Sequence, residues 1–109
     1  MLSITEWIMN YVDVDTFDAA VADAKVAIID FYADWCGPCK QMEPSLQQLE
    51  SEGTASVIKV NIDQNQELAV RFGIKSIPTL MLTVDGDIID TKIGSQSINT
   101  FRVWVSYKA

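Results

Sequence analysis

The chain has 109 residues with two cysteines, no histidine and a net charge of −7; this is enough for one domain with its own core, too little for two, and no cysteine staples are needed for folding. Without histidine there is no Ser-His or Cys-His nucleophilic machinery, and two cysteines alone leave a zinc site short of its usual soft ligands, so neither a metal nor another cofactor is expected. The acidic balance, with no basic patch, argues against nucleic acid as a partner.

Met1 to Ile8 has no positive start and its apolar residues are interrupted by Glu6, so it does not read as a signal peptide. It is taken as an extension of unassigned structure on a single domain spanning residues 1–109. No stretch approaches the length of a membrane helix, and no membrane partner is expected. A short strand is expected around Tyr11 to Val14. Asp15 then caps a helix running through Asp23, with Asp18 in its first turn and Phe17, Ala20, Val21 and Ala24 on one side. Val26 to Ala33 is a nearly continuous apolar run of branched and aromatic residues, the pattern of a central strand covered on both faces. At its end, Trp35-Cys36-Gly37-Pro38-Cys39-Lys40 opens a second helix that reaches toward Glu52 and should be kinked by Pro44.

Ser56 to Ile62 reads as a second buried strand, parallel to the first because a helix connects the two. Asn65 is expected to cap a short helix carrying Leu68, Ala69 and Phe72 and stopped by Gly73. Thr79 to Val84 and Asp87 to Ile93 flank Asp85-Gly86, a two-residue hairpin signal, so the sheet turns antiparallel there. Ser97 caps a last helix with Ile98, Phe101, Trp104 and Val105 inward, although Val103 to Val105 has strand-like local preference. The order βαβαβαββα specifies an α/β fold with a single central mixed sheet and helices on both faces.

The two cysteines carry the chemistry. Residues three apart on a helix share a face, within the Cα separation that a disulfide needs, so Cys36 and Cys39 can close a small ring. Pro38 suits a first helical turn. The unpaired N–H groups and the positive dipole end at that terminus favour a thiolate, and Cys36, nearest the end, should be the more acidic. Cys39, Met42, Leu46 and Leu49 form an apolar stripe that aims Cys39 at the core. Cys36 is therefore expected to be the exposed attacking sulfur and Cys39 the sheltered resolving one, with Lys40 in a minor role. A purely structural disulfide is the alternative, but a bridge over two residues removes little unfolded-chain entropy. A dithiol with no other cysteines fits a reducing cytoplasm.

Three features in order, Trp35 to Lys40, Ile77-Pro78-Thr79, and the Asp85-Gly86 hairpin followed by Gly94, resemble the thioredoxin family over roughly Tyr11 to Val105. The resemblance implies the thioredoxin fold and a general protein-disulfide reductase. Its partners would be disulfide-containing target proteins and a thioredoxin reductase, either flavin-dependent or ferredoxin-linked. It implies a cis Ile77–Pro78 bond facing the dithiol; the alternative is an ordinary trans proline entering a strand. The Ile77 backbone would then be free to pair with an extended target segment, and Trp35, Gly37, Pro38, Ile77, Pro78, Ile93 and Gly94 would form a shallow docking surface. For Trp35 the alternative is core packing.

Asp30 lies where burial on both strand faces is expected, which is costly for a carboxylate unless it is paired or protonated. The resemblance implies that Asp30 lies beneath Cys39 as its general base, acting through water, with Lys59 as its partner; an ordinary strand-end lysine is the other reading of Lys59. The sequence departs from the family at Tyr32, where many members carry tryptophan, and at Thr83, where an aromatic is common; Met1 to Ile8 has no counterpart. Two other functions remain open. An oxidase or isomerase of the same fold is disfavoured by Gly37-Pro38, since oxidising relatives generally have histidine between the cysteines. A non-catalytic subunit, such as a polymerase clamp, would need only the folded surface. A monomer is expected.

Overall fold

Continuous apolar runs built from branched residues need cover on both faces, and the computed structural model, which describes residues 9–109, places them at the centre of a five-stranded sheet. The elements are β1 (Asn10–Val12), α1 (Phe17–Asp23), β2 (Val26–Tyr32), α2 (Gly37–Glu52), β3 (Ser56–Asn61), α3 (Gln66–Arg71), β4 (Thr79–Val84), β5 (Asp87–Ile93) and α4 (Ile98–Lys108). Strand order is β1-β3-β2-β4-β5, with β1, β3 and β2 parallel and β4 and β5 antiparallel. The expected extension over residues 1–8 lies outside the described residues. Among these, no helix is long and apolar enough to cross a membrane.

Side chains alternate across a strand, so β2 divides its residues between two cores. Ala27, Ile29 and Phe31 pack with Phe17, Val21, Ile58, Val60, Leu68 and Met81 on the side of α1 and α3. Ile28 packs with Met42, Leu46, Leu49, Val57, Leu80, Leu82, Phe101 and Trp104 on the side of α2 and α4. The same alternation sends Asp30 and Lys59 to the α2 side, two positions beyond Ile28 and Val57.

Helix α2 runs through Pro44 and ends at Gly53, whose φ of 78° allows its N–H to reach the Glu50 carbonyl. The hairpin between β4 and β5 has positive φ at both Asp85 (51°) and Gly86 (88°), as a two-residue turn that follows the sheet twist requires. Ser97 caps α4 as expected, its Oγ accepting the Thr100 N–H at 3.2 Å. The strand-like preference of Val103 to Val105 yields because the helical conformation puts both Trp104 and Val105 into the core.

Two caps differ from expectation. Asp13, not Asp15, organises the start of α1: its Oδ1 accepts the N–H groups of Asp15 and Thr16, both at 2.9 Å, and the Thr16 hydroxyl at 3.1 Å. The Asp13 carboxyl is held below its ordinary range, first by the Thr16 backbone N–H and then by the Thr16 hydroxyl. At α3 the Asn65 side chain makes no cap and instead donates to the Asn61 carbonyl at 3.1 Å, while Asn61 Oδ1 collects the N–H groups of Asp63 and Gln64. In both places an earlier Asx side chain reaches the turn amides first. The β4–β5 pairing also shifts register between Leu82 and Thr83.

Candidate active site

The strand register brings four segments to one end of the sheet. Tyr32 pairs with Asn61 at the ends of β2 and β3, Phe31 pairs with Thr79 at the start of β4, and Thr79 pairs with Ile93 at the end of β5. Helix α2 begins at this edge, with Cys36 as its N-cap residue in an extended conformation and Pro38 in its first turn. Cys36 and Cys39 are joined by a disulfide with a Cα–Cα distance of 5.3 Å, and Cys36 Sγ accepts the Cys39 N–H at 3.2 Å.

The expected exposure of Cys36 is not observed. Cys36 is 4% exposed and Cys39 2%. Both sulfurs sit in a small apolar cluster with Ala33, against which Tyr32, Ile62 and Ile77 pack. Long-range neighbours therefore cover a residue that helix position alone would leave open. Access is left to what surrounds it: Gly37 and Pro38 are exposed, and a side chain added at Gly37 would meet no atom within 4 Å. Trp35 is 69% exposed, which rules out core packing, and its Nε1 donates to Asp63 Oδ2 at 2.8 Å. Ile93 is also largely exposed.

The Ile77–Pro78 bond is cis. Pro78 is buried and its carbonyl accepts the Gly94 N–H at 2.8 Å. The backbone N–H and C=O of Ile77 take no hydrogen-bond partner among the described residues. The seven residues expected at a docking surface are thus spread over the α2 start, the β4 entry and the β5 end, with Trp35 and Ile93 presenting the most apolar surface.

An ion cluster adjoins Cys39, with Lys59 and Glu43 lining a cavity beside it. Asp30 and Lys59 are register partners on β2 and β3 and both are buried, with Nζ 2.7 Å from Asp30 Oδ2. Lys59 is therefore not an ordinary strand-end lysine. Its ammonium also lies 3.2 Å from Glu43 Oε1 and 4.2 Å from the centre of the Tyr32 ring. Asp30 Oδ1 has no partner among the described residues. Burial pushes the Asp30 carboxyl above its ordinary value, against the opposing charge and hydrogen bond of Lys59, and the Glu43 carboxylate pushes it the same way. Burial disfavours the Lys59 ammonium too, but the two carboxylates outweigh it and hold its proton more tightly.

Four members of this neighbourhood, Tyr11, Tyr32, Glu43 and Asp63, were not among the candidates from sequence. Glu43 had a signal, since it lies one helical turn after Cys39 on the same face of α2. Asp63 had none, because its contact with Trp35 depends on how the segment after β3 returns to the motif.

A family model described as Thioredoxin matches residues 8–106. The chain belongs to the thioredoxin family. It is 39% identical over 100 residues to the thioredoxin of Rickettsia felis, covering 89% of this chain and 95% of that one. To the thioredoxin of Streptomyces clavuligerus it is 41% identical over 91 residues, covering 82% and 85%. Among solved structures, a point-mutant thioredoxin from Halobacterium salinarum superposes with a TM-score of 0.88 at 34% identity, covering 99% of this chain and 97% of that one. A Plasmodium falciparum thioredoxin superposes with a TM-score of 0.83 at 28% identity, covering 93% and 100%. Like its thioredoxin relatives, the protein is a thiol-disulfide oxidoreductase of the protein-disulfide reductase kind, with the Cys36–Cys39 pair as its redox centre. Its substrates are disulfide-containing proteins, and it is recharged by a reductase.

Proposed function

We propose that Cys36 thiolate attacks a target disulfide to form a mixed disulfide, and that Cys39, losing its proton to Asp30, attacks Cys36 and releases the target as a dithiol. Two electrons and two protons leave the protein, and the Cys36–Cys39 disulfide remains for a thioredoxin reductase to reduce. Lys59 serves as the counter-ion that makes a buried Asp30 carboxylate tolerable. Gly37, Pro38, Ile77, Pro78, Ile93 and Gly94, with Trp35, receive an extended target segment that pairs with the Ile77 backbone. The observation that carries this reading is the disulfide at the N-terminus of α2, where the Cys39 N–H already donates to Cys36 Sγ. The chain acts as one monomeric domain over residues 1–109, in a reducing cytoplasm, without a cofactor of its own, and is reduced by a flavin-dependent or ferredoxin-linked enzyme.

The test is reduction of insulin disulfides with dithiothreitol as electron source. Catalytic amounts of the protein should bring forward the precipitation of the free B chain, and no acceleration over dithiothreitol alone would overturn the reading. Supplying NADPH with a flavin enzyme, or reduced ferredoxin with its partner enzyme, then identifies the donor.

Trp35→Ala is expected to raise the KM for a protein disulfide several-fold while leaving thermal unfolding nearly unchanged. The indole is 69% exposed, so its removal costs little core, whereas loss of an aromatic anchor weakens docking. Initial rates against insulin concentration, beside a melting curve, separate the two effects.

A further inference from the structure

A base buried as deeply as Asp30 needs its proton affinity matched to the thiol it serves. A lone lysine at 2.7 Å would work against that, because it holds the carboxylate in its charged form. The structure contains a third charge that changes this balance. Glu43 extends from α2 to the same ammonium, its side chain one-third exposed, and its Oε1 also accepts the Tyr11 hydroxyl at 3.1 Å. A cavity of about 140 Å³ is lined by Cys39, Glu43, Lys59, Tyr11 and Tyr32, with Asp34 and Lys40 at its wall. That volume has room for more than one water. Asp30 does not line this cavity; Lys59 and Glu43 do, and Lys59 Nζ in turn holds Asp30 Oδ2, so the ammonium links the cavity beside Cys39 to the buried carboxylate.

We propose that Glu43 is a positioning residue for the resolving step, acting through Lys59 on Asp30. Two carboxylates share one ammonium, so the cluster carries an excess negative charge when all three groups are ionised and titrates as a unit. The proton that relieves this excess goes to the member whose charge is costliest, and Asp30, fully buried with its Oδ1 unpartnered among the described residues, is that member. The groups facing the cluster are Tyr11 from β1, Tyr32 from β2, Lys40 and Cys39 from α2, and Asp34 from the segment before the motif. In the step itself, Cys39 gives its proton through water to Asp30, which Lys59 joins to the cavity. Its sulfur forms the bond to Cys36 Sγ, the mixed disulfide breaks, and the target sulfur leaves with the electron pair and takes up a proton. Glu43 touches none of the reacting atoms.

The inference rests on Asp30 being the base for Cys39, and its test separates the two. Rapid mixing of the reduced protein with a chromogenic aryl disulfide releases one thiolate when Cys36 attacks and a second when Cys39 resolves. In Glu43→Gln, Lys59 is left to Asp30 alone, which becomes the weaker base. The second phase should lose roughly two- to threefold of its plateau rate and its rising limb should move to lower pH; the first phase should not change. The limb should not respond to Glu43→Gln when Asp30→Asn is already present. A limb that stays in place in Glu43→Gln, or that moves equally in both backgrounds, overturns the role of Glu43. An Asp30→Asn single variant with an unaltered second phase overturns instead the assignment of the base beneath it.

Discussion

Cys36→Ser is expected to abolish disulfide reduction, a loss on the order of 10³-fold or more, while Cys39→Ser is expected to halt the same cycle at its midpoint and leave target proteins covalently attached. Removing a covalent nucleophile causes losses of this size because no other group in the site can replace it. The two variants differ in kind because the two sulfurs differ in surroundings. Cys36 is the N-cap residue of α2 and its Sγ receives the Cys39 N–H, a donor that stabilises a thiolate at the helix terminus. Cys39 lies inside the helix, on the stripe with Met42, Leu46 and Leu49 that enters the core.

Exposure does not make this distinction, since the two residues are almost equally buried. Position at the helix end and the open space beside Gly37 make it. Non-reducing electrophoresis and mass mapping of the adducts read the outcome. Recovery of target proteins on Cys39 from the Cys36→Ser variant, with none on Cys36 from Cys39→Ser, would reverse the assigned order.

The parts of the fold that could be read from sequence are those whose signals are local. β4, β5 and α2 have the expected bounds because a two-residue turn, a proline in a first helical turn and a four-member apolar stripe each act within a few residues. The start of α1 could not be ranked in the same way: Asp13, Asp15 and Thr16 are all capping residues, and only the backbone path shows that Asp13 reaches the turn amides. The register shift at Leu82 and Thr83 depends on the partner strand. For the site, the dithiol is local and was legible, whereas the burial of Cys36 comes from Ile62 and Ile77, which lie in segments far along the chain. For Lys59 the residues alone left a partner of Asp30 and an ordinary strand-end lysine both open, and the parallel pairing that sets it opposite Asp30 decides between them. Glu43 was one helical turn from Cys39, but its meaning came from that same pairing.

Asp30→Asn should weaken catalysis and strengthen the fold at once. Loss of a positioned general base costs about 10²-fold or more, so the resolving step near pH 7 should slow by roughly that factor while attack by Cys36 keeps its rate. The stability change follows from the sign of the carboxyl's displacement. In the folded protein Asp30 binds its proton more tightly than at its ordinary value of 3.8, because burial outweighs the attraction of Lys59. The native state then holds more protons than the unfolded one across the interval between the two values, and stability falls as pH rises through it. Below the ordinary value the cost is absent, and above the folded value it is complete. The amide introduced by Asp30→Asn would carry no charge and leave a neutral group, rather than half a carboxylate, without a partner. Lys59 would not be stranded, since Glu43 remains 3.2 Å from its Nζ. A gain on the order of 1 kcal/mol at pH 8 is expected, shrinking toward pH 4. Urea midpoints of both proteins at the two pH values measure it. A variant no more stable at pH 8 than at pH 4, relative to the parent, would mean that the buried pair is balanced and that Asp30 has no raised affinity for the Cys39 proton.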